Sequence, residues 1–149
     1  MRIDEIRDHV FPAHEFTPEM RLSGPNYARV IGSSDARFFS TSAATACGYP
    51  SRPLPLGMLT FFHTVDEPDL LETLGITYGK TLFGGLEIEF GDVVTEQQAL
   101  VGQTSVVESY ERSGSDGRTR QFLVLQTEFK TTDGRLISRS RLTFIERLD

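Results

Sequence analysis

From Thr81 to Arg147 the chain does little but run straight and turn back. Four stretches, TLFGGLEIEF, QALVGQTSVVESYER, RQFLVLQTEFKT and RLISRSRLTFIER, carry strand-type alternation. The turn SGSDG separates the second from the third, and Asp133-Gly134 separates the third from the fourth. Connections this short return a strand only to an antiparallel neighbour, because a parallel one needs a crossover. The alternation puts Leu123, Leu125, Thr127 and Phe129 on one face. Gly84-Gly85 interrupts the first stretch and suggests a bulge. A sheet with one apolar face must bury it against something.

The first 80 residues supply the cover. In LGMLTFFHTV, Met58, Leu59, Phe61, Phe62 and Val65 are apolar nearly all round, which predicts a buried helix over 56–66. Its polar exceptions, Thr60 and His63, are three apart and share a face. DEPDLLETLG predicts a second, more exposed helix, with Asp66 or Asp69 near its start. PNYARVIG reads as a short helix opened by Pro25 and stopped by Gly32. TSAATACGY reads as a helical turn or two ending at Gly48, and Pro50, Pro53 and Pro55 then forbid a regular helix. The expected architecture is a single α+β domain over 1–149, an antiparallel sheet wrapped around one central helix.

Composition excludes several classes. At 149 residues, 38% hydrophobic and 24% charged, the chain can bury a core and is not disordered. A formal charge of −6 makes a nucleic-acid partner an unfavourable expectation. Cys47 stands alone, so no intrachain disulfide forms and a cysteine-based zinc site is not expected. No run reaches the roughly 20 apolar residues of a membrane span, and MRIDEIRDHVFP has no apolar h-region. The expectation is a cytoplasmic protein with no membrane partner and no metal.

YARVIGSSDARFFSTSAATACGY, residues 27 to 49, carries the chemical question. It aligns without a gap on the pattern A-x-x-x-G-D-x-N-P-x-H followed by A-x-x-x-G-[YF], with Ala28, Gly32, Ala44, Gly48 and Tyr49 in place. Further on, EIEF, SVVESYERSG, LQTEF and DGRLISRSRLTF follow in a matching order. In these stretches the chain resembles the MaoC-like, (R)-specific enoyl-thioester hydratases and 3-hydroxyacyl-thioester dehydratases. More narrowly, it resembles their FAS1-type N-terminal half-domain and the stand-alone substrate-binding subunits of heteromeric dehydratases. That resemblance implies the hot-dog fold, a curved antiparallel sheet around one helix, dimerised edge to edge. It also implies a substrate carried as a thioester on CoA or on the phosphopantetheine of an acyl carrier protein, with no further cofactor.

The departures fall on the reacting groups. The family's Asp and His are an acid/base pair; here those positions are Ser33 and Phe38. The family's Asn and Pro are Asp35 and Ala36, and its H-G-M reads Leu56-Gly57-Met58. Its Gly-Asp after the first long strand falls on Gln97-Gln98, while a Gly91-Asp92 pair stands six residues early. A positioned acid/base group contributes about 10²–10⁴-fold. Phenylalanine moves no proton, and a serine hydroxyl is no base unless a neighbour activates it.

Replacement candidates are few. Asp35 is either a relocated base or a loop carboxylate capping nearby N–H groups. His63 is either a catalytic imidazole or a hydrogen-bonded core residue. The N–H groups of Gly57 or Met58 could donate to a thioester oxygen as enolate charge develops; alternatively, Gly57 only relieves crowding after Pro55. Ser33, Ser34, Phe38 and Phe62 are candidate substrate contacts. Arg37, Arg52 and Lys80 could meet a CoA or phosphopantetheine phosphate. Tyr27, Phe39 and Phe61 read as core, Cys47 as a small buried side chain, and His9 and His14 as surface. The expected function is binding or processing of an enoyl or 3-hydroxyacyl thioester. One alternative is a non-catalytic substrate-binding subunit of a heteromeric dehydratase. Another is a thioesterase or conjugate-addition enzyme on the same fold. An exposed sheet edge leads us to expect a homodimer or a heterodimer with a catalytic subunit.

Overall fold

The structure, a computed structural model, describes residues 1–148. Its centre is a five-stranded antiparallel sheet of β1 (His14–Phe16), β2 (Thr81–Phe90), β3 (Leu100–Ser113), β4 (Thr119–Thr131) and β5 (Leu136–Leu148). The spatial order is β1-β3-β4-β5-β2. The four long strands lie where the alternation predicts them. Register shifts in β2 near Gly84, in β3 near Val107 and between Phe129 and Lys130 of β4 mark bulges, which bend strands and raise their twist. The Leu123, Leu125 and Phe129 side chains are buried on one face, with Thr127 among them.

The cover on that face differs from expectation. There is no continuous helix over 56–66. A 3₁₀ helix, Leu56–Phe61, ends at an extended Phe62, and an α-helix begins only at Glu67. Pro68 stands in the first turn of that α-helix, where its missing N–H costs no helical bond.

The described residues form three α-helices: α1 (Gly24–Val30), α2 (Thr41–Ala46) and α3 (Glu67–Leu74). Ser23 caps α1 by accepting from the Asn26 N–H, and Ser40 caps α2 by accepting from Ala43. Gly32 and Gly48 then turn the chain out at φ +72° and +88°. α3 is largely exposed, as its sequence suggests, and only Leu74 at its end is fully buried.

Two apolar clusters join cover to sheet. Met58, Leu59 and Phe62 pack with Leu100, Phe129 and Ile137. Leu74 packs with Val106, Leu123 and Leu125, flanked by Val65 and Leu70. The N-terminal arm also belongs to the core. Phe11 and Phe16 are buried, and Phe11 N–H donates to Thr104 O over 2.9 Å. The proline-rich segment is fixed by Leu54 N–H to Val94 O and Glu96 N–H to Arg52 O, each 2.9 Å. Gly91-Asp92 is structural: a Cβ at Gly91 would lie 2.1 Å from Leu136 O, and Asp92 pairs with Arg135 at 3.0 Å. No helix among the described residues is long and apolar enough to cross a membrane.

Candidate functional site

The loop after α1 holds the two positions where the resemblance places an acid/base pair. Ser33 N–H closes the helix end on Ala28 O at 2.9 Å, and its hydroxyl accepts from the Asp35 N–H at 3.3 Å. Asp35 caps a 3₁₀ turn, Ala36–Phe38, accepting from the Arg37 N–H at 3.0 Å. The same carboxylate holds the Arg37 guanidinium through Nε at 3.0 Å and Nη2 at 2.5 Å. Those Arg37 side-chain bonds, then the Arg37 backbone N–H, hold the Asp35 carboxyl below its usual range. A carboxylate stabilised in this way is a weak base. Ser34 is exposed and Phe38 half-buried.

The turn at 55–58 distinguishes the two amides. Met58 is fully buried, and its N–H donates to Pro55 O at 2.9 Å. The Gly57 N–H has no partner among the described residues. A Cβ at Gly57 would stand 2.5 Å from the Tyr27 hydroxyl oxygen. The crowding that requires glycine here therefore comes from Tyr27. That ring packs edge-on to Phe61, with centroids 5.8 Å apart, and its hydroxyl makes no hydrogen bond among the described residues. Nothing local in the sequence marks Tyr27 as a site residue; only the fold sets a phenol beside a free amide.

A groove of about 300 Å³ runs between the Leu59–Val65 segment and the inner face of the sheet. Leu59, Phe62, Leu125, Phe129, Phe83 and Leu86 make most of its apolar wall. His63 is its single titratable side chain. The Arg21 guanidinium donates to the His63 carbonyl at 2.9 Å and so fixes the backbone at that point. His63 also borders a second crevice, of about 480 Å³, with Arg21, His14, Asp66 and Asp69. Of the residues singled out in sequence, Phe62 and His63 meet in the groove wall; Ser33, Ser34, Asp35, Phe38, Gly57 and Met58 do not line it.

The groove also contains a set the sequence did not reveal. Thr64, Thr104 and Thr127 join their hydroxyls at 2.5 Å and 2.7 Å. Among the basic candidates, Arg37 is held by Asp35 and Arg52 by the buried Glu96 at 2.8 Å. Lys80 is exposed. Cys47, expected to be buried, is exposed at the C-terminal end of α2. Phe61, read as core, is 57% exposed.

The groove, with its apolar wall and single imidazole, can hold an elongated apolar group and offer one proton-transfer site. The structure is similar to the complex titled C-terminal truncated HadBC (3R-hydroxyacyl-ACP dehydratase) from Mycobacterium tuberculosis. The TM-score is 0.71 at 20% identity, covering 94% of this chain and 96% of that one. It is also similar to the ChsH1-ChsH2 complex of the same organism, with TM-score 0.68, 13% identity, and 97% and 88% covered. An (R)-hydratase from A. caviae involved in PHA biosynthesis gives 0.62 at 13% identity, with 93% and 94% covered. At these identities the likeness establishes the hot-dog fold. No curated protein matches by sequence. The family described as FAS1-like, dehydratase domain region matches residues 25–140. By that match over most of its length, the chain belongs to the FAS1-like dehydratase-domain family, built on the hot-dog fold of the MaoC-like dehydratases.

Proposed function

We propose that this chain is the substrate-holding half of a hydratase or dehydratase acting on acyl thioesters, and that its groove takes the acyl chain of a CoA or carrier-protein thioester. The observation that carries this is the composition of the groove: apolar walls with one titratable group, His63, and no contribution from loop 33–38. Adding or removing water across a double bond needs one group to take a proton and one to give it. A single imidazole leaves the second role unfilled, and Asp35 is tied to Arg37. The missing group then comes from a second hot-dog chain. Two of the similar structures are complexes by their titles, which supports this arrangement. The free Gly57 N–H, with the Tyr27 hydroxyl beside it, is the candidate donor pair for the thioester oxygen.

A second reading keeps the chain as an enzyme on its own, with His63 as acid/base and Asp35 released from Arg37. Its support is the place of His63 in the groove wall. One set of assays separates the two. The purified chain is tested for binding and for hydration of crotonyl-CoA and of the matching carrier-protein thioester, as wild type, Asp35→Asn and His63→Ala. The expected outcome is binding without turnover in all three. Turnover by the lone chain that collapses in His63→Ala would establish the second reading and remove the first. Failure to bind any acyl thioester would remove both.

A further inference from the structure

The inner face of the sheet is arranged in layers, and in one of them three hydroxyls stand side by side. Register places Val106, Leu125, Leu142 and Leu86 side by side across β3, β4, β5 and β2. Two residues along lie Thr104, Thr127, Ser140 and Ile88. Two further along lie Gly102, Phe129, Ser138 and Phe90. The middle layer therefore places three adjacent hydroxyls across the floor of the groove, and all three belong to its lining. Leu125 and Leu142 bound it on one side and Phe129 on the other.

The hydroxyl count leaves capacity unused. Thr64, Thr104 and Thr127 each bring one O–H donor, and the two links among them use two donors. One donor remains, on Thr64, Thr104 or Thr127 according to how the three rotors turn. The Ser140 hydroxyl, next to Thr127, has no partner among the described residues. Thr64–Thr104 has a structural use, fastening the 62–66 segment to β3. Thr127 and Ser140 lie beyond that fastening, on the groove side. An unbranched hydrocarbon passing over them strips their water and returns no hydrogen bond. A chain with an oxygen at that level satisfies them, as donor or acceptor. A site built this way discriminates against the analogue that lacks the polar group.

We propose that Thr127 and Ser140, backed by Thr104 and Thr64, form a subsite that reads a hydroxyl or oxo oxygen on the acyl chain, beyond the carbons adjoining the thioester. This deepens the proposed function and rests on the groove being the acyl site.

The test is calorimetric binding of octanoyl-CoA and of its monohydroxylated positional analogues to the full chain. The expected result is one analogue hydroxylated beyond carbon 3 binding about tenfold tighter than octanoyl-CoA. Thr127→Val with Ser140→Ala abolishes that preference, while Thr127→Ser retains it; circular dichroism checks that each variant is folded. Equal binding of all analogues, a preference for the 2- or 3-hydroxy analogue alone, or a preference that survives the double substitution, overturns the subsite and leaves the acyl groove standing. If neither octanoyl-CoA nor any analogue binds, the acyl groove and the subsite fall together.

Discussion

Single residues at this site are fixed by atoms that are distant in sequence. Gly57 is the clearest case, because its missing Cβ makes room for the Tyr27 hydroxyl. Gly57→Ala should cost about 1–3 kcal/mol, the usual range for overpacking, read from urea unfolding. Tyr27→Phe removes the colliding oxygen, so Gly57→Ala in that background should cost clearly less. Equal costs in the two backgrounds would mean the contact does not limit the site. Ser33 and Phe38 were legible from sequence alone as lacking proton-transfer chemistry, since side-chain chemistry needs no neighbours. The engagement of Asp35 was half legible. A loop aspartate before N–H groups suggests a cap, but the two-point grip by Arg37 depends on the turn that brings them together.

At the scale of elements, the strands were readable and the helix over them was not. Alternation reports a half-buried sheet directly. The apolar run 56–65 reports burial without geometry, and either a helix or a folded-back turn satisfies it. Pro68 marks only where α3 starts, not where the turn before it ends. What holds the broken segment is its fit on β3. A Cβ at Gly102 would lie 2.5 Å from Thr64 Cγ2 and 2.6 Å from the Phe129 ring. Gly102→Ala should therefore destabilise the fold by about 1–3 kcal/mol, measured by urea unfolding. Adding Thr64→Ser, which deletes Cγ2 and keeps the hydroxyl, should recover part of the loss. No recovery would place the whole clash on Phe129.

For the whole molecule the open question is what covers β2. Among the described residues it pairs with β5 alone, and no strand pairs with its other edge. Phe83, Leu86 and Phe90 continue the apolar inner face past the helical cover, at 65%, 45% and 40% exposure. Leu82, on the opposite face, is 52% exposed. A long apolar edge strand is a template for association. The purified chain should sediment as a dimer, and Leu82→Glu with Phe90→Glu should shift it to monomer while circular dichroism is unchanged. An unchanged mass would place the contact elsewhere. Both substitutions avoid the groove lining, so acyl binding serves as a control for fold.

The sequence by itself determined the antiparallel sheet, its apolar face and the side chains, Ser33 and Phe38, that stand where the resemblance places an acid/base pair. Those depend on local periodicity and on the chemistry of single side chains. Tertiary structure decided the broken cover, the free Gly57 amide beside Tyr27 and the hydroxyl layer across β3, β4 and β5. Each of these brings together groups tens of residues apart, such as Thr64 and Thr104, and only the closing of the cover onto the sheet sets their distance.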